Sequence, residues 1–142
     1  MNMYYLVGKS FKLEIGHKLL KHQGKCKNLH GHSLKLEVNI ASDSLNENDM
    51  VMDFSDLKDI MSDLVEEWDH SILLNLHDTE LIDFCEKTGS KYVAFDQDPT
   101  SEVIAKTIYD FLSEGIKNLG KEIEAFEVVV HETENSVASY GK

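Results

Sequence analysis

Cys26, His30 and His32 stand close together in GKCKNLHGHSLKLEVNI (24–40), and His17 closes the run FKLEIGH (11–17). Imidazole nitrogens are strong ligands for Zn²⁺, and three protein ligands leave a position open, the catalytic pattern, whereas cysteine-rich sets close structural sites. Such an ion polarises a bound hydroxyl or carbonyl and brings bound water to a pKa of roughly 7. The competing reading is a polar turn with core or solvent-exposed imidazoles. Cys26 lies four residues before His30 and between Lys25 and Lys27. Nearby cations and a metal favour its thiolate, the form that acts as base or nucleophile. The same sulfur as a fourth ligand would make the site structural, and the spacing leaves both roles open. Cys85, within an apolar helical stretch, reads as a small buried hydrophobe.

Two further groups could move protons or hold a ligand. In EEWDHSILLN (66–75) a carboxylate, Asp69, adjoins an imidazole, His70, which it could orient for proton transfer. Glu132 shares parity with Val128 and Val130, so a carboxylate ends an apolar strand face. There it could grip an N–C–N edge through two hydrogen bonds, as carboxylates do with guanidinium; an exposed strand-end glutamate is the alternative. His22, His77 and His131 have no such context.

The elements that must position these groups follow from periodicity. Phe11, Leu13 and Ile15 alternate with Lys12 and Glu14, the pattern of a half-buried antiparallel strand, and His17 falls on the apolar parity. Leu34, Leu36, Val38 and Ile40 form a second such face, which backward steps of two extend to His32 and His30. Three histidines from two strands thus continue the buried faces of one sheet. Residues 41–49 form a polar turn, and MVMDF (50–54) reads as a short returning strand. From Ser55, a plausible N-cap, a helix carries Leu57, Ile60, Met61, Leu64, Val65 and Trp68 on one stripe. A shorter helix spans 78–88, ended by Gly89, with KYVAF (91–95) as a strand after it. Thr100 caps a third helix with Val103, Ile104, Thr107, Ile108, Phe111 and Leu112 at helical spacing. EAFEVVVHETENSVASY (124–140) gives two closing strands around a polar turn at 133–136. Strands, helices and strands in this order predict an α+β domain, an antiparallel sheet with helices packed on one face. No solenoid repeat is present.

A chain of 142 residues fits one domain, 1–142, and its 42% hydrophobic content and single proline suit a globular protein. A net charge of −12 argues against nucleic acid, whose backbone needs a dense cationic surface. That charge is unevenly spread. Residues 1–36 carry seven lysines against Glu14 alone, a net +6, which leaves −18 for the rest. The first segment could draw a small anionic ligand while the remainder repels polyanions. The start, MNMYYLVGKSF, lacks the pattern of a secretory leader, and no run of eighteen apolar residues occurs, so no membrane contact and a cytoplasmic location are expected. Two cysteines are too few for a disulfide framework.

Taken together, FKLEIGH, CKNLHGH, MVMDFSDLK, WDHSILLN, PTSEVIA and VVVHETENSVASY resemble, in family order, the 6-pyruvoyl and 6-carboxy tetrahydropterin synthases. The resemblance runs nearly the whole chain. It implies a tunnelling fold whose sheets assemble into an oligomeric barrel, usually a homohexamer of two stacked trimers with sites between subunits. It further implies that His17, His30 and His32 bind Zn²⁺, that Cys26 is the general base, and that Asp69 with His70 relays its proton. Glu132 would anchor the pterin ring, with Thr100 near the pocket wall. Lys18, Lys21 and Lys25 are the best placed to hold a triphosphate.

The implied substrate is 7,8-dihydroneopterin triphosphate. One branch of the family forms 6-pyruvoyl tetrahydropterin; the other loses acetaldehyde and triphosphate to give 6-carboxy-5,6,7,8-tetrahydropterin, a queuosine precursor. PTSEV looks like the carboxy branch, since pyruvoyl enzymes usually have asparagine where Val103 stands. Gly16 replaces a usual alanine, Trp68 precedes Asp69, and the segment between Asn75 and Pro99 is longer; none of these removes a chemical group. A non-catalytic zinc or pterin binder, with Cys26 closing the metal site, is the alternative from a different class.

Overall fold

The computed structural model describes residues 3–119 and 123–142. Strands β1 (Tyr5–His17) and β2 (His30–Ser42) pair antiparallel along their whole length, with Leu13 opposite Leu34, Ile15 opposite His32 and His17 opposite His30. The expected parity therefore holds to the strand ends. Strand β5 (Glu124–His131) lies on the other side of β2, placing Val130 against Leu36 and Val128 against Val38, and β6 (Val137–Gly141) pairs antiparallel with β5.

Helix α1 (Phe54–Trp68) buries Leu57, Met61, Leu64 and Trp68, and α3 (Ser101–Asn118) buries Ile104, Ala105, Ile108, Leu112 and Ile116. Together with Leu13, Leu34, Leu36, Val38, Ile40, Val128 and Val130 they form one continuous core over one face of the sheet. Thr100 caps α3 as expected, its hydroxyl accepting from the Val103 N–H at 3.2 Å. At α1 the cap differs. Asp53, not Ser55, accepts the Ser55 N–H at 2.8 Å, and the Ser55 hydroxyl is itself spent as a donor to the same carboxylate. Residues 50–53 consequently lead into the helix instead of forming a returning strand, and Val51 and Met52 reach the core from irregular backbone.

The α+β class stands, but the sheet is mixed instead of wholly antiparallel. Its order is β4-β3-β1-β2-β5-β6. Strand β3 (Ser71–Asn75), to which the periodicity assigns no element, runs parallel to the end of β1, Ile15 facing Ser71 and His17 facing Leu73. Strand β4 (Tyr92–Phe95) runs parallel to β3. Helix α2 (Thr79–Thr88), capped by Asp78 and ended by Gly89 at φ +71°, is the crossover that a parallel pair requires. Its buried Leu81 and Cys85 pack with Leu74, Ile72 and Tyr92, whereas Leu73 and Phe95, of opposite parity, enter the main core. So α2 covers the opposite face from α1 and α3, a departure from helices on one face alone. Cys85 is a buried hydrophobe there, and burial pushes its thiol pKa up. Among the described residues no helix is long and apolar enough to cross a membrane.

Candidate active site

The end of β1 and the start of β2 meet at one rim of the sheet, and their register brings the three imidazoles face to edge, with ring centroids 4.5 to 4.9 Å apart. His17 is 1% exposed. Its Nδ1 donates to the Pro99 carbonyl at 3.0 Å, and His30 Nδ1 donates to the Asn28 carbonyl at 2.7 Å. A carbonyl only accepts, so both Nδ1 atoms carry a proton, and in the neutral rings both Nε2 atoms present lone pairs. Those two Nε2 atoms lie 2.9 Å apart. Two lone pairs do not hold one another at that distance; a cation shared between them, a proton or a metal ion, would resolve the contact. Burial keeps His17 below its ordinary pKa of 6.5, the Pro99 bond opposing and His30 reinforcing, which favours the neutral ligand form.

Glu132, just past β5, completes the group. Its Oε1 lies 3.3 Å from His17 Nε2 and 2.8 Å from His32 Nε2, while Oε2 accepts from the Ser101 hydroxyl at 2.9 Å. His32 Nε2 is shut off from solvent and has no hydrogen bond despite that short distance, because the direction is wrong for one. All four donor atoms fall within 4.8 Å of one another. A tetrahedral zinc site with bonds of about 2.0–2.1 Å has ligand–ligand edges of roughly 3.3 Å, so the separations fit such an ion. The carbonyls on His17 and His30 are partners of the kind that orient imidazoles toward a metal.

Cys26 does not belong to that group. It sits partly exposed in a single 3₁₀ turn, Lys25–Lys27, of the segment joining β1 to β2, and it is a free thiol. The fourth-ligand role thus gains no support from the geometry. What fixes the thiol's segment is a pair of buried acids. Asp98 accepts from the Leu20 N–H at 2.9 Å, the Lys21 N–H at 2.8 Å and the Asn75 amide at 2.9 Å. The Leu19 N–H in turn donates to the Cys26 carbonyl at 2.9 Å. Asp78 takes Lys18 Nζ at 2.9 Å. Lys18 is therefore already paired, whereas the side chains of Lys21 and Lys25 are exposed.

Asp69 and His70 form the expected couple, His70 Nδ1 lying 3.0 Å from Asp69 Oδ2. The other carboxylate oxygen accepts the Glu14 N–H at 2.8 Å, which, with the smaller help of His70, holds the Asp69 pKa down. His70 adopts φ +61°, and its N–H donates to the Glu14 carbonyl at 2.6 Å, so the couple is bolted to β1. The His70 ring is 76% exposed and lines, with His32, Gly16, Gly31 and Ser33, an open cleft of about 410 Å³. Cys26 is not among the residues lining that cleft.

Sequence reasoning missed Ser101 and Asp98. Ser101 stands at the first position of α3, directly after its cap Thr100, where a serine carries no signal of its own. Asp98 has one local signal, an acid directly before a proline at the entrance to α3; the backbone it holds is far away in sequence.

A family model described as 6-pyruvoyl tetrahydropterin synthase matches residues 6–142. A 6-carboxy-5,6,7,8-tetrahydropterin synthase of Aquifex aeolicus is 38% identical, with 97% of this chain and 98% of that protein covered. One of Synechocystis is 36% identical, over 96% and 92%. Among solved structures, the 6-pyruvoyl tetrahydropterin synthase of Caenorhabditis elegans superposes with a TM-score of 0.70 at 22% identity, over 99% of this chain and 97% of that one, a likeness of fold.

Proposed function

The chain belongs to the 6-pyruvoyl tetrahydropterin synthase family, and from that premise we propose that it converts 7,8-dihydroneopterin triphosphate to 6-carboxy-5,6,7,8-tetrahydropterin, releasing acetaldehyde and triphosphate. The observation that carries the reading is the convergence of His17, His30 and His32 on one point with two Nδ1 atoms already committed as donors. The carboxy branch is supported by the names of the relatives at 36–38% identity.

His17, His30 and His32 would hold Zn²⁺, which when bound supplies Lewis acidity toward the oxygens of the substrate side chain. Cys26, as thiolate, takes a proton from the side-chain carbon that this acidity activates. Asp69 fixes the His70 ring through Nδ1, leaving Nε2 to exchange protons with the substrate. Glu132 grips the 2-aminopyrimidine edge of the pterin through two oxygens, and Thr100 stands near the wall of that pocket. Lys21 and Lys25 hold the triphosphate, with Lys18 less available because it pairs with Asp78. Among the described residues, the cleft that His70 lines does not include Cys26, which favours sites shared between subunits of a homohexamer; the cytoplasm is the location we propose for it.

Purified enzyme given 7,8-dihydroneopterin triphosphate should release acetaldehyde and triphosphate in equal amounts. A pyruvoyl product without acetaldehyde would move the chain to the other branch.

A further inference from the structure

The role just proposed for Glu132 conflicts with where its oxygens lie. An N–C–N edge needs both carboxylate oxygens side by side, yet Oε1 faces His17 and His32 Nε2 at 3.3 and 2.8 Å. His32 Nε2 is buried without a hydrogen bond, so it and Oε1 are placed as two donors that could share one ion. We infer that Glu132 is an exchanging ligand: it is the fourth donor to the metal before substrate arrives and transfers to the pterin ring when the ring docks. This rests on the pterin reading above and deepens it.

Four protein donors make a closed site and three an open one. Recognition of the ring would thus open the coordination position that the substrate side chain requires, and only a ligand bearing the N–C–N edge would open it. The surroundings permit the movement. Glu132 lies beyond the last β5–β6 pair, His131 with Val137, in the turn closed by its own N–H to the Ser136 carbonyl at 3.0 Å. Its side chain is 24% exposed, so it can rotate without disturbing the core. The Ser101 hydroxyl on Oε2 comes from the first residue of α3 and serves as the pivot, since a carboxylate oxygen can accept a second bond.

Binding linkage supplies the test. If metal and pterin compete for one carboxylate, each must weaken the other by the same factor. Pterin with no side chain, titrated by its fluorescence, should bind the zinc-free protein several-fold more tightly than the zinc-loaded protein. The difference should vanish in Glu132→Gln, whose zinc affinity, measured by chelator competition without pterin, should fall about tenfold or more. Equal or tighter pterin binding to the zinc-loaded wild type, or unchanged zinc affinity in Glu132→Gln, overturns the exchange while leaving pterin recognition intact. Failure of pterin to bind either form overturns both.

Discussion

An imidazole has two nitrogens, and the partner of one decides what the other can do. At His17 and His30 the backbone carbonyls of Pro99 and Asn28 make that decision, so the chain prepares two lone pairs through residues with no metal chemistry of their own. The histidines themselves were legible, because strict alternation carries the apolar faces to both strand ends. Ser101 and the two carbonyls were not, since their roles depend on contacts with the end of β1, the start of β2 and the turn after β5. The thiol is the residue whose role the fold sharpens most. Cys26→Ala should retain its zinc, measured as metal per chain after gel filtration, and lose acetaldehyde release by about 10²–10⁴-fold, the usual worth of a positioned base. Loss of zinc with a lower melting temperature would make Cys26 a structural ligand.

At the scale of elements, the segment between β1 and β2 has little regular structure and hangs on Asp98. Burial alone would raise this carboxyl's pKa, but the Asn75 amide and the Lys21 and Leu20 N–H groups hold it below its ordinary 3.8. The folded chain then takes up this proton less readily than the unfolded one. The stabilisation is complete above the unfolded value and drains away as pH falls through the lower folded value. Asp98→Asn should be less stable than wild type by about 1–3 kcal/mol near neutral pH, and urea midpoints should converge below pH 4; a gap that widens in acid would contradict the assignment. Cys26 hangs from the same segment, so the variant should also change the rate of thiol alkylation. Strand β3 escaped the sequence reading for a physical reason. SILLN buries side chains on both faces, Leu73 toward the main core and Leu74 toward α2, so it shows no alternation. Helices α2 and α3 were legible because Asp78, Gly89 and Thr100 perform the capping their types suggest.

The whole molecule carries a net charge of −12, with the lysine-rich first 36 residues at +6. Screening should therefore act on substrate capture: KM for the triphosphate substrate should rise with ionic strength while kcat changes little, whereas side-chain-free pterin should bind nearly independently of salt. Equal salt dependence for both ligands would remove the lysines from the triphosphate site. The two outer strands of the sheet, β4 and β6, each have a neighbour on one side only among the described residues. Unpaired edges are places where further strands can add. Light scattering in solution should give the mass of six 16.2 kDa chains; a monomer would refute assembly through these edges.

The β1–β2 register has one more consequence, and it concerns time. His17 and His30 are separated by only 13 positions, and the connection between them closes a short loop, whereas Glu132 reaches the same point from 100 residues beyond His32. Short loops cost less entropy to close and form earlier than long-range pairings. During synthesis the hairpin also leaves the ribosome before the chain that supplies β5 exists. Three imidazoles can thus gather an ion on a nascent hairpin, and the ion would cross-link the first two strands while the rest of the sheet is still being added. Refolding with zinc present from the start should accordingly be faster than refolding followed by zinc addition.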